Sequence, residues 1–148
     1  GLFESIHSVD SLRLAAHLDR IAGEVGLTAR GYLQVNAAEE ESKGGFREAE
    51  LREEVVTLMR LEHLQVEGLM SIPPRVESPE AARASFRSLR VLRDELQELS
   101  GSALPGLSMG MSHDFEVAIE EGATIVRVGS AIFGPRHVQP GRLAPETG

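Results

Sequence analysis

Apolar positions along the chain alternate between short continuous runs and sets repeating every three or four residues, so the pattern predicts strands punctuated by helices. The first apolar run covers residues 2–6 and leads to Ser8 and Asp10, both residue types that cap helix N-termini. Leu12, Ala15, Ala16, Leu18, Ile21, Ala22 and Val25 then recur at helical spacing, with Gly26 placed for a left-handed C-terminal cap. A second strand is predicted at Tyr32, Leu33 and Val35, followed by an acidic, glycine-rich loop over 37–45. Leu51, Val55, Val56, Leu58, Met59 and Leu61 give a helix over 48–63, and Val66, Leu69, Met70 and Ile72 a strand that Pro73 and Pro74 stop.

Ser78 is predicted to cap a third helix carrying Phe86, Leu89, Leu92 and Leu96, and a turn over 101–106 leads to a strand at 107–109. Ser112 opens a short helix that ends at Gly122, and residues 124–128 form the clearest strand, with Gly129 and Ser130 directly after it. Five strands alternating with helices predict an α/β fold with parallel strands and crossover helices. Units of about 30 residues suit an open doubly wound sheet or a barrel equally. The proline- and glycine-rich residues from 137 onward are expected to form a flexible tail.

Two strand ends near the C-terminus draw attention, because Gly110-Met111-Ser112 and Gly129-Ser130 expose backbone amides where parallel α/β folds bind ligands. Small residues let an anion approach, the Ser112 and Ser130 hydroxyls can donate to phosphate oxygens, and helix N-termini add partial positive charge. The plainer alternative makes Ser112 an N-cap and Gly129 a turn glycine. Arg127 sits between Val126 and Val128, where an unpaired guanidinium is costly, so it faces either a ligand or an internal carboxylate.

Composition removes several classes of function. With 23 acidic against 15 basic side chains, the net charge of −8 disfavours nucleic acid and anionic membranes as partners. No apolar run approaches the roughly 20 residues that span a bilayer. The absence of cysteine excludes disulfides and thiolate chemistry, and a cytoplasmic location fits. His7, His17, His63, His113 and His137 show no zinc spacing, so no metal site is predicted, and neither a GxGxxG nor a Walker sequence is present. Fourteen of the basic residues are arginine, leaving Lys43 as the one lysine amine. The chain begins with Gly1 rather than Met, which raises the expectation that it is part of a longer protein.

The run Gly110-Met111-Ser112-His113-Asp114-Phe115-Glu116-Val117-Ala118-Ile119, then Gly122-Ala123-Thr124, Val126-Arg127-Val128-Gly129-Ser130 and Ile132-Phe133-Gly134, strongly resembles the closing signature of the pyridoxal-phosphate homeostasis proteins. Val35-Asn36 with Glu40-Glu41-Ser42-Lys43 and Gly45-Phe46, and Gly68-Leu69-Met70-Ser71-Ile72-Pro73, resemble the same family, and Ile6-His7-Ser8-Val9-Asp10 is consistent with it. The resemblance implies a partial TIM-type barrel similar to the N-terminal domain of alanine racemase. The five strands would be the fourth to the eighth, residues 1–136 would belong to one barrel domain, and the first three strands would be missing.

By the same resemblance the cofactor is pyridoxal 5′-phosphate (PLP). Met111, Ser112, Gly129 and Ser130 would bind its phosphate, Arg127 would face its pyridine nitrogen, and Asn36 and Lys43 would stand at the rim. The family's Schiff-base lysine lies at the end of the first strand, so Lys43 is not its counterpart. The implied role is non-catalytic cofactor homeostasis, with PLP-dependent apoenzymes as recipients and no catalytic residue. The alternatives are part of a racemase or decarboxylase barrel, which would need a separate acid/base, or a remnant with no activity of its own.

Overall fold

The computed structural model describes residues 3–36, 44–74 and 76–134. Its elements run in the order β1 (Ile6–Val9), α1 (Leu12–Glu24), β2 (Ala29–Val35), α2 (Glu48–Leu58), β3 (Leu64–Ser71), a 3-10 turn (Pro79–Ala82), α3 (Arg83–Ser100), β4 (Gly106–Met111), α4 (Phe115–Glu120), β5 (Ile125–Arg127) and α5 (Ser130–Phe133). All five strands are parallel and lie in the sheet in chain order. The α/β alternation read from the hydrophobic pattern is therefore correct.

Several boundaries differ from expectation. The first strand is Ile6–Val9 rather than 2–6, because Ile6 and Val9 pair with Gly31 and Leu33 while Phe3 is almost fully exposed. Since β1 runs on to Val9, neither Ser8 nor Asp10 caps α1. Ser11 does, its hydroxyl accepting from the Leu14 N–H at 3.3 Å. Ser78 makes no side-chain cap either; it precedes the 3-10 turn, and α3 begins only at Arg83. Gly26 and Gly101 take the left-handed conformation after their helices.

The core lies between one face of the sheet and the helices, with Leu33, Leu69, Leu107 and Met109 packed against Leu51, Leu58, Phe86 and Leu89. Burying each such side chain contributes about 1.5–3 kcal/mol. Along β2 the alternation sends Gly31, Leu33 and Val35 into this layer and Arg30, Tyr32 and Gln34 to the other face. Asp19 of α1 fastens the start of β3 by accepting from the His63 and Leu64 N–H groups at 2.6 and 3.0 Å.

The face opposite the helices is concave. His7 on β1 and Ser108 on β4 share a hydrogen bond of 2.8 Å although β2 and β3 lie between them. Strands in a flat sheet are about 4.8 Å apart, so three steps would separate these two by about 14 Å. The contact requires the sheet to curl into a half-barrel. Tyr32 follows the curve, its ring 4.7 Å from that of His7 and lying where a Cβ on Gly106 would come within 2.4 Å of it. On the outer side of β1 a groove of about 590 Å³ is lined by Phe3, Ile6, Leu18, Ile21, Val25 and Leu27 among others. No helix among the described residues is long and apolar enough to cross a membrane.

Candidate functional site

The carboxyl ends of β4 and β5 come together at one end of the half-barrel. Near the end of β4 stands Gly110, whose φ of +90° and whose missing Cβ, 2.6 Å from Ala118 Cβ if built, leave no room for another residue. Asp114 Oδ1 accepts from the Met111 N–H at 2.7 Å, and the Asp114 N–H returns to the Met111 carbonyl at 3.1 Å. Asp114, not Ser112, is the N-cap residue of α4. Met111 thus has its own amide committed within the turn.

Ser112 does something else. Its hydroxyl oxygen accepts from the N–H of Gly129 at 3.1 Å and of Ala131 at 3.2 Å, joining the turn after β4 to the turn after β5. Gly129 has a φ of −120° and open space where a Cβ would stand, so neither strain nor crowding by protein atoms calls for glycine there. Met111 and Ser112 are half-buried, Gly129 and Ser130 are exposed, and the two Ser112 hydrogen bonds bring the turn after β4 against the turn after β5. The helices starting here hold six and four residues, too short for much of the dipole expected from the sequence. Amides and hydroxyls supply the polarity instead.

Arg127 projects from β5 onto the concave face. Its Nη1 donates to the Ser108 carbonyl and hydroxyl at 2.8 and 2.7 Å, and its Nη2 to the Ser71 carbonyl at 2.8 Å. It forms no ion pair among the described residues, so of the two partners expected from the sequence the internal carboxylate is not the one found. Burial pushes its pKa below the usual arginine value, and the Asp114 carboxylate acts in the opposite direction. Ser71 is buried, and its hydroxyl has no hydrogen-bond partner among the described residues. Asn36 directly follows β2 and donates its N–H to the Phe46 carbonyl at 2.9 Å, and Lys43 lies outside the described residues.

Sequence reasoning passed over three residues that shape this region: His7, Ser108 and Asp114. Serine within the apolar run 107–109 was the signal for Ser108, since a polar residue there needs a partner. No group of three or more metal-ligating side chains occurs among the described residues.

The family model for the alanine racemase N-terminal domain matches residues 4–137. The chain belongs to that family. Within the alanine racemase N-terminal domain family, it is 50% identical over 131 residues to the pyridoxal phosphate homeostasis protein of Aquifex aeolicus, covering 88% of this chain and 58% of the relative. It is also similar to two solved structures of PipY from Synechococcus elongatus. The one without PLP has 43% identity and a TM-score of 0.83, covering 89% of this chain and 62% of PipY. The one with PLP bound has 41% identity and a TM-score of 0.81, covering 89% and 61%. The chain spans about three fifths of the length of these relatives.

Proposed function

We propose that the chain forms strands four to eight of a single PLP-binding barrel, spanning residues 1–136, and carries the phosphate and ring-nitrogen ends of the cofactor site of a non-catalytic homeostasis protein. The observation that carries this reading is the meeting of the turns after β4 and β5, here read as a phosphate cup. Two backbone amides converge on the Ser112 hydroxyl beside an unfilled space at Gly129, and a half-buried arginine with no ion pair among the described residues lies on the adjoining concave face. A phosphate and a pyridine nitrogen are the complementary groups, and the PipY structure with PLP bound supports them.

Ser112 and Ser130 would donate to the phosphate, Gly129 would let it close on the backbone, and Met111 would hold the turn. PLP, when bound, supplies an electron sink whose strength depends on protonation of its ring nitrogen. Arg127 is a permanent donor and cannot accept that proton, so it favours the unprotonated ring and storage over catalysis. Asn36 and Lys43 stand at the rim in this reading. The relatives are named as pyridoxal phosphate homeostasis proteins, which supports a homeostatic role, and we extend it to delivery of the cofactor to PLP-dependent apoenzymes in the cytoplasm. Tyr32, the single tyrosine, is a poor candidate for racemase chemistry, because burial and then Glu67 raise its hydroxyl above the usual value.

The reading also holds that three strands and the lysine that anchors the cofactor belong to a preceding segment. The apolar groove beside β1 supports it, as does the outer edge of β1, which has no strand partner among the described residues. The test is an absorbance titration of the purified chain with PLP, then borohydride reduction and mass analysis for a lysine adduct. Weak binding that inorganic phosphate displaces, without a stoichiometric adduct, is the expected result. A stoichiometric adduct on Lys43 overturns the assignment of that lysine to the rim, and absence of any phosphate-competable binding overturns the cup.

A further inference from the structure

We propose that His7, acting through Ser108, is a positioning residue for Arg127, so that recognition at Arg127 is strongest while His7 is neutral. The inference rests on the reading of Arg127 as the ring-facing group. It follows from counting donors. A guanidinium only donates, so the Ser108 oxygen, 2.7 Å from Arg127 Nη1, must accept there. The single Ser108 proton then has His7 Nδ1, at 2.8 Å, as its acceptor. That fixes the imidazole as the neutral tautomer with its proton on Nε2, which donates to the Ser5 hydroxyl at 2.9 Å. Each of the three hydrogen bonds from Arg127 through Ser108 and His7 to Ser5 then has one donor and one acceptor, all running in the same direction.

Protonating His7 reverses its Nδ1 from acceptor to donor. Ser108 would then hold two cations on one oxygen with no acceptor for its own proton, and Arg127 would lose the hydroxyl that orients it. The surroundings oppose that event. Burial first and then the Arg127 charge hold the His7 pKa below its ordinary value, while Glu67 on β3 works the other way. Glu67 is itself paired with Arg30 of β2, which also pairs with Glu4, and the neutral Tyr32 ring covers the imidazole from β2. The neutral imidazole is thereby favoured, and its titration is moved down from the ordinary value.

The experiment combines nitrogen-15 NMR of the imidazole with PLP affinity across pH. The wild-type chain should show a proton on Nε2 and a midpoint below 6.5, rising in Arg127→Gln. His7→Asn places an amide oxygen near the Nδ1 position but does not titrate. It should match wild-type affinity at pH 7.5, and His7→Leu should be weaker throughout. The phosphate of PLP titrates at about 6 in its own right, so the ratio of wild-type to His7→Asn affinity isolates His7. That ratio should fall by about threefold or more within a unit below the His7 midpoint. A proton on Nδ1 at neutral pH, or a ratio that does not change with pH, overturns the proposal. Absence of PLP binding by the wild-type chain at every pH overturns the cofactor reading instead, and the ring-nitrogen data then decide the relay alone.

Discussion

Ser112 and Gly129 are tied by a 3.1 Å hydrogen bond in which the backbone amide of one turn donates to the side chain of the other. The serine thereby holds open the geometry that an anion would use. Ser112→Ala removes this acceptor and, in the proposed reading, a donor to the phosphate. A net hydrogen bond is worth about 0.5–1.5 kcal/mol, so PLP affinity should fall by about two- to tenfold. Titration of the variant beside wild type reads this directly, and unchanged affinity removes Ser112 from the cup.

Ser130→Asp should weaken PLP binding by about tenfold or more, because it sets a carboxylate against a dianionic phosphate. Pyridoxal, which lacks the phosphate, serves as the control ligand and should bind the variant as it binds wild type. Equal losses for both ligands would place the effect outside the phosphate end.

The two glycines under Tyr32 should differ in their tolerance of a methyl group. A Cβ on Gly68 would stand 1.9 Å from the Gly106 carbonyl oxygen, which is backbone of the neighbouring strand. On Gly106 the obstacle is the far end of the Tyr32 side chain at 2.4 Å, which gives way more readily than backbone. Overpacking costs about 1–3 kcal/mol, so Gly106→Ala should fall in that range and Gly68→Ala at or beyond its upper end. Urea unfolding of both variants gives the comparison, and the reverse order would mean that β3 and β4 can separate more readily than the ring can move.

Glu121 is a buried carboxylate at the end of α4 that accepts from Arg87, Arg83 and Arg90 along one side of α3. The Arg87 hydrogen bond, with those of Arg90 and Arg83, outweighs the cost of burial and holds its pKa down to about 2. A depressed carboxylate contributes stability that is complete above its ordinary value near 4.5 and is lost as the pH falls toward the folded value. Glu121→Gln should therefore be less stable than wild type at neutral pH, and the gap should narrow across that acid window. Urea melts at a series of pH values measure it; a gap independent of pH would mean that the carboxylate contributes no more than its amide counterpart.

The layer order was legible in the sequence because each strand carries its own apolar run and each helix its own periodic stripe. What escaped notice depends on distance along the chain. His7 looked unpaired because its partner lies 101 residues away, reached only once the sheet curls. That curl is also why periodicity left an open sheet and a barrel equally acceptable. Ser112 read as an N-cap because serine before a helix usually is one, yet Asp114, two residues on, holds the cap position and frees the hydroxyl for the opposite turn. Arg127 was placed on the right strand, but its acceptors are two carbonyls and a hydroxyl, groups that leave no charge pattern to find.

The identity between sheet order and chain order also bears on how this polypeptide forms its structure. Each new strand joins the edge left by the one before it, so the ladder can lengthen in chain order with a single helical crossover closed at each step. The His7–Ser108 bond is the exception, since it cannot close until β4 has emerged and joined. Until β4 is in place the concave face lacks this bond across it, so the contact that ties β1 to β4 belongs to the last-formed part of the described sheet.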